Sequence, residues 1–456
     1  MTWFSYFVQF GTALFLLPVI LVQFNAIEVS IWFIFYLIMG MSVLADFGFG
    51  PSIVRASTYF YSGSDYLPAN LEEFKAHKNT NTKPNFLKLE SLIYTANSMY
   101  VGLAFSGATI CLIAGYFLVK NTLGMLPDNQ GPWFAFYLVV LRTFLVIIQV
   151  KWASILTGLD QVAMIKRFES VVNLIKITLM FVLVVFGFGI FELMLCELLA
   201  TVALLSIYRK LVKNWFIINN NAIRNTFKLD GVLLRTIWPP SWRLGAIQLG
   251  GYGINNSSGF IVAQLNSPEL IAGFLLTQRI ILFTRQVCQA PLYANLPRIF
   301  QLMASKQYPE LRFFCSNAIR ISLSLLSLCL IGIYFIGNTV LVFFGIDHQL
   351  VEPTVLVLMS ISVTLEMHHA IHSQIFMGSN KVPFLIPSIV SAAAIVVIGY
   401  FAVQYYGIIG VVVTQMLVQL FLNNWYPVYL NLKLLEWEFL SYLSDIFSFP
   451  YFNKNR

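Results

Sequence analysis

Charge is what this sequence has least of: Asp, Glu, Lys and Arg together make up 11% of its 456 residues. Soluble globular chains carry about a quarter charged residues, so a water-soluble fold is excluded at the outset. Other absences narrow the field. No glycine-rich phosphate loop, hydrolase elbow or nucleotide motif stands in any polar segment, which argues against an ATP-driven pump. The five cysteines, Cys111, Cys196, Cys288, Cys315 and Cys329, are odd in number, scattered, and all set in apolar runs. They read as small buried hydrophobes, and neither disulfide nor metal is assigned to them. The first apolar run, 3–24, has no basic leader and is long enough to span, so no cleavable signal peptide is expected.

Hydrophobic residues account for 58% of the chain, and its mean hydropathy is +0.76. The expected fold class is all-α, a polytopic integral membrane protein. Windows of about 20 apolar residues predict twelve transmembrane helices near 3–24, 29–54, 90–119, 133–157, 169–187, 190–208, 237–262, 269–296, 314–337, 353–378, 383–403 and 407–430. With the N-terminus inside, the inner segments collect Arg55, Lys83 and Lys88, the run Arg209, Lys210 and Lys213, then Arg224, Lys228, Arg235, Arg298, Lys306, Arg312 and others, against Lys120 alone outside. That asymmetry predicts both termini on the cytoplasmic side. It also assigns the formal charge of +8 to inner loops and leaves no call for a nucleic-acid partner. The outer loops are short, the longest near 120–132 and 337–352, so no large outer catalytic domain is expected. The inner loop 62–88 reads as a polar connector with one interfacial helix.

The chain repeats itself. Gln264-Leu265-Asn266-Ser267-Pro268-Glu269-Leu270 echoes Gln23-Phe24-Asn25-Ala26-Ile27-Glu28-Val29, with identity at Gln, Asn and Glu. Six helices per half is an even number, so the halves are parallel repeats about an axis along the membrane normal. The expected organisation is an N-terminal lobe 1–208, a basic linker 209–236, a C-terminal lobe 237–430 and a cytoplasmic tail 431–456, the lobes enclosing a central cavity.

Seven basic residues fall within the predicted spans. A charge at the bilayer centre costs about 2.5 to 3.5 kcal/mol on insertion scales, so charges kept there are candidates for function. Lys151, Lys176, Arg243 and Arg320 lie near span ends, where long side chains snorkel. Arg142, Arg279 and Arg285 lie nearer the midplane and read as ligands for an anion. Arg142 shares a helix face with Gln149, Arg279 with Gln286, and Arg285 with Gln278. Gln248, Asn255 and Gly259 form one stripe of the seventh span, with Asn256 beside it, and the glycines at 250, 251 and 253 serve either close helix packing or an irregular backbone. Glu169, Asn173 and Lys176 have the spacing of an internal pair on one helix face. Glu197 lies deep enough to neutralise a buried arginine on a neighbouring helix.

The tenth span carries Glu366-Met367-His368-His369-Ala370-Ile371-His372. Glu366 and His369 are one turn apart, as are His368 and His372. No cysteine or aspartate completes a metal set, so a site for a transported proton or cation at Glu366, His369 and His372 is weighed against buried packing.

The second span and its turn, QFNAIEVSIWFIFYLIMGMSVLADFGFGPSIVRAS, resemble the opening of the O-antigen flippase (Wzx) family of polysaccharide transporters, where Asp-x-Gly-x-Gly-Pro and a basic residue end the span. Here those positions are Asp46, Gly48, Gly50, Pro51 and Arg55. The resemblance implies a flippase of the superfamily that includes the multidrug and toxin extrusion (MATE) carriers and the peptidoglycan-precursor flippases, with two six-helix lobes around a cavity. Unlike the peptidoglycan-precursor flippases, this chain has no charged residue in its first span, and no site is transferred from them.

The expected activity is translocation of an undecaprenyl-diphosphate-linked oligosaccharide repeat unit, O-antigen or other surface polysaccharide, from the inner to the outer leaflet of the bacterial inner membrane by ion-coupled alternating access. Arg142, Arg279 and Arg285 hold the diphosphate in this reading, and Gln149, Gln248, Asn255 and Asn256 bond sugar hydroxyls. Partners are the lipid-linked glycan, membrane lipids, and the polysaccharide polymerase and chain-length regulator; no cofactor is expected. The alternatives are a MATE-like multidrug exporter, which would want acidic residues for cationic drugs, and a membrane-embedded polymerase or ligase, which would want a sizeable outer loop. Outside loops offer only Lys120 and His348 as basic candidates, so an enzyme is not expected.

Overall fold

A chain surrounded by hydrocarbon has no water to satisfy its backbone, and helices do so internally. The computed structural model describes residues 16–65, 67, 83–126, 130–219, 230–265, 267–304, 307–377 and 383–447, and every regular element among them is helical. In chain order these are α1 (Leu17–Gln23), α2 (Ala26–Gly40), α3 (Ser42–Ala45), α4 (Phe49–Tyr61), α5 (Phe86–Leu123), α6 (Gln130–Gly158), α7 (Val162–Val185), α8 (Ile190–Ile218) and α9 (Gly231–Val262). There follow α10 (Pro268–Cys288), α11 (Ala290–Ala304), α12 (Tyr308–Phe343), α13 (Pro353–Met377), α14 (Leu385–Val418), a π-helical turn (Gln419–Asn423), α15 (Trp425–Leu434) and α16 (Phe439–Phe447). Eight stretches among the described residues are long and apolar enough to cross a bilayer. The last of these, Leu385–Leu434, contains two predicted spans, hinged at Gly407 (φ 58°, ψ −145°). With α9 and the broken α2–α4 segment, eleven of the twelve predicted spans are accounted for among the described residues; most of the first span and the centre of the 62–88 loop lie outside them.

The chain forms two compact units, Met1–Leu249 and Gly250–Arg456, divided within α9. In the first, Asn25 opens α2 by accepting from the Ile27 and Glu28 amides while Glu28 reaches back to the Asn25 amide. This capping box closes the helix start at the first copy of the repeated motif; at the second, α10 begins at Pro268 after Ser267 with no side-chain cap. The Asp-x-Gly-x-Gly-Pro motif breaks the second span. Asp46 turns its carboxylate onto the Gly50 amide (2.9 Å) and receives the Tyr100 hydroxyl (2.5 Å), so a buried acid satisfies the new helix start. Gly48 sits at φ +74°, and a Cβ there would lie 2.4 Å from the Ser241 carbonyl oxygen on α9. Asp230, just before α9, receives the Val232 and Leu233 amides and the Ser91 hydroxyl. Those bonds, the Leu233 amide foremost, hold its carboxyl below the usual aspartate range.

Small residues set helix spacing throughout, as expected of membrane bundles. A Cβ on Gly158 would fall 2.2 Å from Ser57 Cβ and 2.8 Å from the Val54 carbonyl oxygen. In the second unit Gly250 and Gly253 admit Ser388 and Ala392 of α14 at comparable range, so two of the three singled-out glycines serve close packing; Gly251 has open space. Gly158→Ala should therefore lower the thermal midpoint in detergent, by an amount matching about 1–3 kcal/mol of overpacking. Gly102→Ala, where nothing lies within 4 Å, should leave the midpoint unchanged or raise it; equal effects would refute this account of the packing.

Candidate functional site

Each unit encloses one cluster of charges on helices that cross the bilayer. In the first, Glu197 of α8 is the centre, almost fully buried at 3% side-chain exposure. It receives Lys176 of α7 at 2.8 Å, Arg142 of α6 at 3.2 Å, and the Tyr36 hydroxyl of α2 at 3.0 Å. Helix α8 packs along both α6 and α7, so one carboxylate meets cations from both neighbours. Two cations to one carboxylate leave the cluster with a net positive charge. Arg142 retains 20% side-chain exposure, and Gln149, a further seven residues along, is half-buried.

Glu197 was expected to neutralise a buried arginine of a neighbouring helix, and the arginine it meets is Arg142. Two other expectations are not met. Lys176 bonds Glu197 rather than Glu169, whose carboxylate takes Lys166 (2.7 Å) and the Tyr208 hydroxyl (3.1 Å) instead. A carboxylate at the right depth on the adjacent helix outcompetes one on the same helix whose own end of the span already offers a lysine. Nor does Lys151 snorkel: it is buried, bonds the Asn97 side chain at 2.6 Å and lies over the Trp152 ring at 4.3 Å. Arg243 fits anchoring, exposed against Trp242.

In the second unit Arg285 of α10 pairs with Glu366 of α13 and bonds the Asn255 side-chain oxygen of α9 at 3.3 Å. Its Nε, though buried, has no hydrogen-bond partner among the described residues. Gln278 bridges Ser258 (3.1 Å) and the Asn255 carbonyl (3.3 Å). Asn255 and Asn256 each donate to a carbonyl one turn back, on Gly251 and Tyr252. The Gln248 side-chain oxygen, in the first unit, has no hydrogen-bond partner among the described residues. Arg279 and Gln286 lie on another face of α10, turned away from Arg285, and are exposed. The two arginines therefore divide: Arg285 is built into the unit and Arg279 stands on its surface.

The histidines of α13 are joined to groups the sequence reading did not single out. His369 Nδ1 donates to the Asn423 carbonyl (3.0 Å), which belongs to the π-turn. His368 Nδ1 meets the Asn424 side-chain oxygen (2.5 Å), and His372 meets Asn431 of α15 (3.2 Å). The Tyr442 hydroxyl of α16 lies between His368 Nε2 (2.7 Å) and His372 Nε2 (2.9 Å). Gln415, Gln419 and Asn423 follow one another at four-residue spacing through an apolar segment, and that stripe was the available signal. Among the described residues no three metal-ligating side chains gather in a metal-binding group.

No protein-family model and no curated protein matches the sequence. Solved structures do match the fold. The lipid II flippase MurJ in an inward closed conformation aligns over 98% of this chain and 90% of its own, with TM-score 0.68 at 13% identity. A multidrug resistance MATE family transporter of the MOP superfamily, inward-facing, aligns over 92% and 94%, with TM-score 0.64 at 14% identity. A MOP superfamily transporter from Pyrococcus furiosus aligns over 95% and 94%, with TM-score 0.55 at 15% identity. The chain thus has the fold of MOP superfamily membrane transporters.

Breaking a buried pair leaves an uncompensated charge and costs about 3–5 kcal/mol, whereas removing both partners together costs much less. Glu197→Gln should sharply lower the thermal midpoint and folded yield in detergent, and adding Lys176→Met should restore part of the loss. A double variant as unstable as the single one would show that the cluster is not held by this charge balance.

Proposed function

We propose that the chain is a flippase that moves an undecaprenyl-diphosphate-linked oligosaccharide repeat unit of O-antigen or another surface polysaccharide from the inner to the outer leaflet of the bacterial inner membrane. The observation that carries the reading is the positive surplus among membrane-embedded charges in both units: Arg142 and Lys176 on Glu197, and Arg279 and Arg285 against Glu366. Ionised phosphates and sugars cannot enter hydrocarbon without replacing their hydration. A surplus of guanidinium and ammonium groups supplies the replacement, and planar guanidinium matches phosphate oxygens in pairs. Arg279, exposed midway along an apolar span, has to look onto water or an anion, because contact with acyl chains costs several kcal/mol. Arg285 keeps an unpartnered Nε, a donor an anionic head group can take. Gln149, Gln248, Asn255 and Asn256 supply amides for hydroxyl groups. The likeness to a lipid II flippase supports a lipid-linked substrate.

Ion coupling falls to Glu366, with His369 and His372 beside it. While Glu366 is ionised it holds Arg285; when it takes a proton the attraction is lost and Arg285 is released to the diphosphate. Deprotonation recovers the pair and expels the head group. The exchange makes protonation of Glu366 favour head-group binding and its deprotonation favour release.

A multidrug exporter is the second reading, supported by the likeness to a MATE transporter. Both mid-span glutamates are already matched by arginine or lysine, and Asp46 is turned into its own helix break, so a cationic drug finds no spare carboxylate among them. Deleting the gene should leave drug sensitivity unchanged and abolish surface polysaccharide. Arg279→Ala and Arg285→Ala should each cut surface polysaccharide by about tenfold or more in a complemented deletion strain, at normal membrane levels. If both complement as the wild type does, the arginines do not hold the head group.

A further inference from the structure

The C-terminal helix α16 is built onto the histidine cluster, and no role for it follows from the flippase reading alone. Its approach is fixed at Glu436, which sits at φ 50°. Arg312 of α12 holds that bend by donating to the carbonyls of Leu435 (2.9 Å) and Glu436. Trp437 donates to Asp445 (3.0 Å), and Leu435, Trp437, Tyr442 and Ile446 are buried. The one polar atom this docked helix delivers inward is the Tyr442 hydroxyl, between two imidazoles.

One backbone carbonyl fixes the direction of every hydrogen bond in the chain that follows. Asn431 Nδ2 bonds the His372 carbonyl at 2.6 Å. A carbonyl only accepts, so Nδ2 is the donor end and the same amide donates to His372 Nδ1 (3.2 Å). His372 therefore carries its proton on Nε2 and donates to Tyr442. The Tyr442 hydroxyl, having accepted, donates to His368 Nε2. His368 carries its proton on Nδ1 and donates to Asn424. With both imidazoles neutral, these bonds can run in this order only, and Asn431 Oδ1 is left without a hydrogen-bond partner among the described residues.

We propose that Tyr442 passes protons between His368 and His372, so that α16 completes the path by which protons leave the Glu366 site toward the end of the span where the C-terminal tail lies. The inference rests on the ion-coupled reading above. In the step, His368 carries a proton on both nitrogens and His372 carries its proton on Nδ1, a tautomer reached from the observed one by proton exchange with water while Asn431 is turned away; the His368 Nε2 proton then moves to the Tyr442 oxygen while the Tyr442 proton moves to His372 Nε2. One N–H bond and one O–H bond break, one of each forms, and Tyr442 ends with the proton count it began with. His372, then doubly protonated, loses its Nδ1 proton to water once Asn431 swings aside. The observed order of donors is the one such a transfer leaves behind. The charges within reach of His368 and His372 are each other's and that of His369, and Glu366 and Arg285 act on His369. Among the other elements packed on α13, α14 carries no Asp, Glu, His, Lys or Arg, α15 carries the exposed Lys433, α12 carries Glu310, the tethering Arg312 and Arg320, α11 carries Arg298, which pairs with Glu310, and α10 carries Arg279 besides Arg285. On the tail itself, Glu436, Glu438 and Asp445 are exposed.

The test uses the full chain in phosphatidylethanolamine–phosphatidylglycerol vesicles with a trapped pH indicator and an imposed potassium diffusion potential. The wild type should acidify the lumen, and Tyr442→Phe, which keeps the ring, should slow it by about a hundredfold. Wild-type flux matched by Tyr442→Phe, or no wild-type flux at all, overturns the proposal. If Tyr442→Phe does not fold, imidazole nitrogen resonances of the wild type decide: His368 should carry Nδ1–H and His372 Nε2–H, and one tautomer at both overturns the relay. No glycan enters either measurement, so failure here is distinct from failure of the polysaccharide complementation.

Discussion

Hydrocarbon tolerates a charge only when another group accompanies it, and the core of each unit is arranged around that constraint. Glu197 cannot be buried without Lys176 and Arg142, and Arg285 cannot be buried without Glu366. Because the clusters draw residues from three or four helices, they fix helix order and depth more sharply than apolar contacts do: an aliphatic interface slides with little penalty, whereas a displaced ion pair exposes two charges to oil. The same clusters are the parts of the molecule able to answer a charged ligand. A buried pair with one spare donor is poised between holding its partner and holding something else.

The two units meet this constraint differently. In the first, one carboxylate is saturated by two cations and a tyrosine hydroxyl, an arrangement suited to permanence. In the second, the carboxylate has a single cation and three histidines follow it on the same helix; a buried Nε without a hydrogen-bond partner among the described residues is common to Arg285 and Arg142. Chemistry that changes with protonation belongs with the second.

Much of this was legible in the sequence. Hydropathy located the spans because helices are the economical way to cross a bilayer. That Glu197 meets a buried arginine of a neighbouring helix was expected from its depth; which arginine was not. What failed to show was anything set by the azimuth of a neighbouring helix. Lys176 was matched to Glu169 by spacing along one helix, yet its partner lies across an interface that spacing does not encode. Arg279 and Arg285 are six residues apart, which places them about 120° apart around α10, so their separate fates were implicit in the numbering. Tyr442 was out of reach, since a docked tail depends on the bend at Glu436 and on its tether to α12.

The π-turn at Gln419–Asn423 fits one residue more into its turn than an α-helix would, as the Asn424 amide bonding back to the Gln419 carbonyl records. Every side chain beyond it is rotated by about 100° relative to an uninterrupted helix. Shortening the turn by one residue would leave α15 apolar and helical while carrying Asn431 around to another face, away from His372. A length change of a single residue, invisible to hydropathy, separates a helix that completes the histidine cluster from one that merely crosses the membrane.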